Sequence, residues 1–367
     1  MPSKAPRFTT PKNEVVEDPR ADAERYFTEK YTPVDDGDAL RDRVRGSFLW
    51  SVYGDACGMP FEGQAPFSIY KRNGDAWVTG LATPKNNFAR YMGRGGWTDD
   101  TQLKLAIMES VIENHGEVDM PSVADHHVRM YKAGPRGWGG STRESVQRLV
   151  SGTSWRRSGK PGGAGNGICM KIAPLGWLYG IKYADSLKDG TFRYKDLATD
   201  ARDLACMTHR DSRAVISGIV QSVLVAWAMN DIDPLANWVR LMKLILTLEG
   251  LFPDEYDTLS ERFEHIPGNL DRGVDYFAHL YRTGCFVVES YPFSVATYLI
   301  HRQDAHGGVL AAVNAGGDCD STAAIVGDLC GAEAGLGTED VTLDLECHDL
   351  LLGTVDAFFD TVRSSTG

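Results

Sequence analysis

Apolar residues along this chain recur with the period of helices. From Asp38 onward Leu40, Val44, Phe48 and Val52 fall on every fourth position, one stripe of an α-helix. That pattern predicts a helix ending around Gly54. A second helix begins at TDDT (98–101), carries Leu103, Ala106, Ile107, Ser110 and Val111 on one face, and stops at Asn114, His115 and Gly116. Between the two, 54–97 is rich in Gly, Pro and Asn and is expected to be loop. Helical patterns return around 168–180, 199–207, 212–229, 235–250, 270–284 and 293–303. They end with STAAIVGDLCGAEAG (321–335) and DLLLGTVDAFFDTVR (349–363). Alternating strand patterns are scarce, so the expected fold is all-α, a single compact multi-helix domain over 39–367. The alanines and glycines of 323–335 predict a central helix packed closely by its neighbours. Residues 1–38, with Pro2, Pro6, Pro11, Pro19 and Pro33, many charges and few aliphatics, are expected to form an extended N-terminal arm.

Composition narrows the function classes. The 367 residues, 43% hydrophobic, are enough for a large core. A formal net charge of −12 repels nucleic-acid phosphates, which argues against a general nucleic-acid binder but not against a nucleotide in a local pocket. No apolar run reaches the ~18–20 residues of a membrane span. The best candidate, 214–229, carries Gln221 and is expected to be a buried helix. The first residues, MPSKAPRFTT, lack the apolar stretch of a secretory signal. The seven cysteines are scattered without a C-x-x-C, which suits reduced thiols and a cytoplasmic location.

Acidic and hydroxyl residues cluster at GDACGMPFE (54–62), WTDDT (97–101) and GGDCDS (316–321), each where a glycine-rich turn meets a helix end. Taken singly, each fits helix capping, with Thr98 or Asp99 satisfying the first-turn N–H groups. If the two helix starts face each other, four carboxylates crowd one place and need a cation to stay ionised together. An oxygen-only set with hydroxyl helpers points to magnesium, manganese or calcium, and four aspartates suit two ions. Cys319, between two aspartates, is expected to be a spacer. The letters DCDST also match a phosphatase nucleophile motif. That chemistry needs a hydrophobic strand beforehand and a lysine afterwards; glycines precede Asp318 and no lysine follows Lys243. The glycine loop GGAGNG (162–167) fits either a surface turn or a backbone cradle for a pyrophosphate; it lacks the G-K-[ST] of a P-loop.

Taken together these segments resemble the ADP-ribosylglycohydrolase family, related to the dinitrogenase reductase-activating glycohydrolase and to ADP-ribosylarginine hydrolase. GDACGMPFE, WTDDT, GNGICMKIAPLG (165–176), THRDSRAV (208–215) and NAGGDCDSTAAIVGDLCGA occur in the family's order, over roughly 44–335. The resemblance implies an all-α fold with a binuclear magnesium centre in a cleft, manganese being a substitute. It implies hydrolysis of the bond between ADP-ribose and an acceptor. Thr98, Asp99, Asp100, Asp318, Asp320 and Ser321 would hold metal. Asp100, Glu62 and Asp99 are the catalytic candidates, Asp55 a weaker one, with Glu62 on a mobile loop. Gly163, Gly165, Asn166 and Gly167 would wrap ribose and pyrophosphate. His209 matches a position near the adenosine, or is a core histidine. Lys171 stands where the family often has arginine and would lose that residue's bidentate fork; Ala164 replaces a serine, leaving phosphate contacts to the backbone. Ser321 in place of threonine resembles the arginine-directed branch. The expected substrates are ADP-ribosylated proteins, on arginine first, with serine or a small molecule as alternatives, or binding without hydrolysis. The arm loosely resembles that of bacterial immunity proteins against ADP-ribosyltransferase toxins, with Glu17, Asp18, Asp22, Glu24, Tyr26 and Phe27 as contacts.

Overall fold

The computed structural model describes residues 23–86, 89–251, 258–337 and 340–366. Helices dominate. Those that carry or hold the site are α1 (Ala39–Gly58), α2 (Asp99–Glu113), α3 (Gly140–Val150), α4 (Ala173–Lys182), α5 (Ser212–Ala228), α6 (Val287–His301), α7 (Cys319–Ala334) and α8 (His348–Ser364). Among the described residues, strand is limited to Lys160–Pro161 pairing in parallel with His209–Arg210. No described helix is long and apolar enough to cross a membrane.

The centre of the molecule is the antiparallel pair α1 and α7, whose backbones touch. A side chain at Gly54 would collide with the Ala323 carbonyl, and one at Gly58 with the backbone of Asp320. Close approach here needs hydrogen in place of a Cβ. It also explains why α1 outruns its expected end at Gly54: both glycines are contact points, not stops. Asp55 therefore lies inside the last turn of α1, buried against α7.

A buried ion pair locks α2 onto this pair. Lys104 of α2 lies 2.9 Å from Asp328 of α7 and bonds Ser51 of α1, all three at or below 1% exposure. α5, the expected buried helix, keeps Gln221 within it, and packs on α4 and α7.

Several elements were not expected. Met120–Ala133 and α3 begin with Pro121 and with Gly139–Gly140, which look like breakers; Ala305–Asn314 contains Gly307 and Gly308. Proline is in fact well placed in a helix's first turn, where its missing N–H is not needed. Pro66–Arg72 forms a short helix inside the expected loop.

Residues 1–22 of the expected arm, with Glu17, Asp18 and Asp22, lie outside the described residues. Residues 23–38 lie against the domain. Tyr26 is 2% exposed, edge-on to Trp97 at 5.8 Å, and Phe27 is 9% exposed. The Thr28 N–H donates to Glu109 and the Val34 N–H to Asp356. The expectation that Tyr26 and Phe27 present themselves to a partner is thus corrected: they are core residues.

Candidate active site

The carboxylates meet where the C-terminus of α1 and the N-termini of α2 and α7 converge. Asp55 is fully buried and accepts from Thr98 N–H (2.9 Å), Thr98 Oγ1 (2.8 Å), Thr101 N–H (3.2 Å) and Thr101 Oγ1 (2.7 Å). A neighbouring helix thus caps α2. Thr98, in the N-cap position, makes no side-chain cap, and neither does Asp318 at the start of α7. The Thr98 and Asp318 side chains are not spent on capping, whereas Asp320 Oδ1 accepts from the Ser321 N–H of its own helix (3.0 Å); the carboxylates of both turns line a shared space.

Two halves close that space. Asp100 Oδ2 lies 3.2 Å from Thr98 Oγ1 and 3.4 Å from Ser321 Oγ, joining the TDDT turn to the DCDS turn. Its Oδ1 is buried without a partner. Glu62, Asp318 and Asp320 place one carboxylate oxygen each within 4.8 Å of one another. Asn166 donates to Asp318 Oδ2 at 2.7 Å, and the Gly139 N–H to Asp99 Oδ2 at 3.3 Å. Cys319 points away, toward the Gly58 carbonyl at 3.3 Å, as a spacer.

Burial without counter-charge controls the protonation of this cluster. It raises Asp99 to about 7 and Glu62 to about 7, in each case by loss of solvation first and by neighbouring carboxylates second. Asp100 and Asp320 are pushed well above the ordinary carboxylate range for the same reasons. An orphaned carboxylate oxygen amid like charges and hydroxyls is a donor set for a hard divalent cation, and these residues fit one or two such ions.

The cluster lies along an open cleft with a cavity volume of about 200 Å³. Its walls bring together Glu62, Thr98, Asp99, Asp100, Gly165, Asn166, Gly167, His209, Asp318, Asp320 and Ser321. Gly163, by contrast, is buried and does not line the cleft; its N–H bonds to the Lys160 carbonyl. Lys171 is completely buried and donates to Thr208, so its ammonium does not face a ligand as the comparison with arginine implied. The Glu62 turn is joined to the Asp318 turn by Gly63 N–H to the Gly317 carbonyl (2.7 Å) and Gly317 N–H to the Gln64 carbonyl (2.8 Å).

Sequence reasoning missed the opposite wall, Gly137 to Thr142. Here α3 starts at Gly140, with no side-chain cap on its first N–H groups and open space at Gly139 and Gly140. Such a helix start favours anions. The signal was present as GWGGST, a second glycine-rich turn before a helix.

The profile of one protein family, described as ADP-ribosylglycohydrolase, matches residues 36–342. The chain is similar to the uncharacterised YegU of Escherichia coli, 26% identical over 328 residues, 83% of this chain and 91% of that protein. It is 23% identical over 313 residues to the ADP-ribosylarginine hydrolase Tri1 of Pseudomonas putida, 80% of this chain and 71% of that one. It is 27% identical over 146 residues to the ADP-ribosyl-(dinitrogen reductase) glycohydrolase of Rhodospirillum rubrum, 38% and 45% of the two chains. A solved chain titled ADP-ribosylglycohydrolase-related protein complex superposes with a TM-score of 0.63 at 23% identity, over 88% of this chain and 99% of that one, and so shares the fold.

Proposed function

The chain belongs to the ADP-ribosylglycohydrolase family, and from that premise we propose that it hydrolyses the N-glycosidic bond between ADP-ribose and arginine on modified proteins. The observation that carries this reading is the oxygen-only cluster of buried carboxylates on the floor of a cleft walled by two glycine-rich turns. Arginine as the acceptor is supported by the likeness to proteins named ADP-ribosylarginine hydrolase and by serine at position 321.

In this reading the pyrophosphate lies along the backbone of Gly165 to Gly167 and the start of α3, where N–H groups receive anions. Thr98, Asp99, Asp100, Asp318, Asp320 and Ser321 would hold two magnesium ions. Such ions, when bound, supply positive charge to the ribose hydroxyls and lower the pKa of water. Asp55 positions Thr98, and Asn166 orients Asp318. Glu62 stands at the mouth of the cluster, partly exposed, and is held near neutrality. A carboxyl so placed can give a proton to the departing guanidine or take one from the attacking water. The C–N bond breaks, water oxygen joins C1″, and the proton ends on the guanidine nitrogen. The transition state is oxocarbenium-like.

The test is release of ADP-ribose from two labelled substrates, one modified on arginine and one on serine. Release from the arginine substrate is expected. Release from serine alone would move the protein to another branch, and release from neither would sink the reading.

A further inference from the structure

Behind the glycine wall runs a polar chain that the proposed chemistry does not use. Lys171 Nζ lies 3.1 Å from Thr208 Oγ1, and the same hydroxyl lies 2.9 Å from His209 Nδ1. Lys171 and Thr208 are both completely buried. His209 borders the cleft, with Nε2 beside Gly165 and Gly167: a Cβ added there would come within 3.6 and 3.0 Å of that nitrogen.

Counting hydrogens fixes the direction of this chain. Burial lowers Lys171 to about 7, so at pH 6 it is an ammonium, with hydrogens and no lone pair, and it donates to Thr208. The Thr208 hydroxyl has one hydrogen and two lone pairs, and among the described residues its only partners are Lys171 and His209, so its hydrogen finds an acceptor only at Nδ1. Nδ1 is the acceptor, so the ring hydrogen sits on Nε2, the nitrogen beside the glycine wall. Burial, aided by the Lys171 charge, lowers His209 to about 3, so the ring is neutral.

We propose that Lys171 and Thr208 are positioning residues that lock His209 as the Nε2–H tautomer, giving the cleft a fixed, neutral donor for an acceptor atom of ADP-ribose. The ligand's identity rests on the proposed function; the tautomer is a property of the free protein. While protonated, a lysine suits the end of the chain, because a group that both donates and accepts would leave Thr208 free to reverse. The opposite tautomer would turn a lone pair toward the ligand's own lone pairs and lose the bond.

Nitrogen NMR of histidine-labelled protein at pH 6, with His209 assigned by its loss in His209→Gln, reads the tautomer directly. The expected result is a protonated Nε2 and a bare Nδ1. Thr208→Val should mix the tautomers, weaken ADP-ribose binding about 3- to 10-fold in calorimetry, and raise KM more than it lowers kcat. Lys171→Met should act in the same direction, and Lys171→Arg, again a donor without a lone pair, should restore the single tautomer. A wild-type ring protonated on Nδ1, or on both nitrogens, would overturn the proposal even if no variant folds. So would Thr208→Val with unchanged tautomer and affinity. Wild-type protein that shows the Nε2–H ring but does not bind ADP-ribose would count against the proposed function and the ligand assignment, while the lock itself would stand.

Discussion

Asp55 shows how a side chain can serve a site without touching a ligand. It sits on α1, yet its carboxylate receives both the backbone and the side chains of Thr98 and Thr101 at the start of α2. Asn at this position would aim an amide hydrogen at one of those donors. Asp55→Asn should therefore cost about 3 kcal/mol of stability and loosen the TDDT turn. Chemical denaturation and magnesium affinity check this; an unchanged midpoint with unchanged affinity would contradict the capping role. Glu62 belongs to the opposite class. Glu62→Gln should lower kcat by about 100-fold or more while ADP-ribose affinity stays close to wild type. Collapse of binding instead would make Glu62 a ligand-holding residue. The sequence showed that these acidic residues belong together, because their types and motifs are local. It did not show which of them caps, positions or faces the cleft. Those roles depend on which helix end each carboxylate reaches, and Asp55 reaches another helix.

At the scale of elements, the backbone contact between α1 and α7 sets the distance between Asp55 and Asp320. Gly54→Ala would put a methyl into the Ala323 carbonyl, and should cost about 1–3 kcal/mol or more. Turnover should fall with it, because the shift falls at the level of the cluster. A Tm close to wild type would show that the helices can separate freely. Gly54 and Gly58 also explain why the end of α1 was misplaced from sequence. A glycine that stops a helix and a glycine that lets another helix approach look the same in one chain, and only the partner distinguishes them. The central helix of 319–334, by contrast, was legible, because alanine and glycine at that density suit close packing. The Lys104–Asp328 pair was not legible, since its partners lie far apart along the chain. Lys104→Met should leave Asp328 buried without its cation and cost about 3–5 kcal/mol.

For the whole molecule, the buried carboxylates make folding, protonation and cation binding one equilibrium. Asp99 and Glu62 are raised to about 7, and Asp100 and Asp320 are raised as well. Such groups are protonated in the fold at pH values where the unfolded chain has already ionised. Their contribution is therefore to lower the stability of the chelated protein as pH rises from about 4 through 7. Cations need the ionised form, so magnesium should raise Tm more at pH 8 than at pH 5.5. Equal increments at both values would contradict the linkage. Removing residues 1–38 should also lower Tm, because Tyr26 and Phe27 are core residues and Trp97 loses its partner. Under the proposed function, this cluster hydrolyses ADP-ribosyl linkages with the help of cations. The most direct measurement is the initial rate of ADP-ribose release from an arginine-modified protein as magnesium is returned to chelated enzyme. No release in chelator, a saturable rise with magnesium, and no rise in Asp318→Ala or Asp320→Ala are expected. Full release in chelator, or a rise undiminished in both variants, would contradict it.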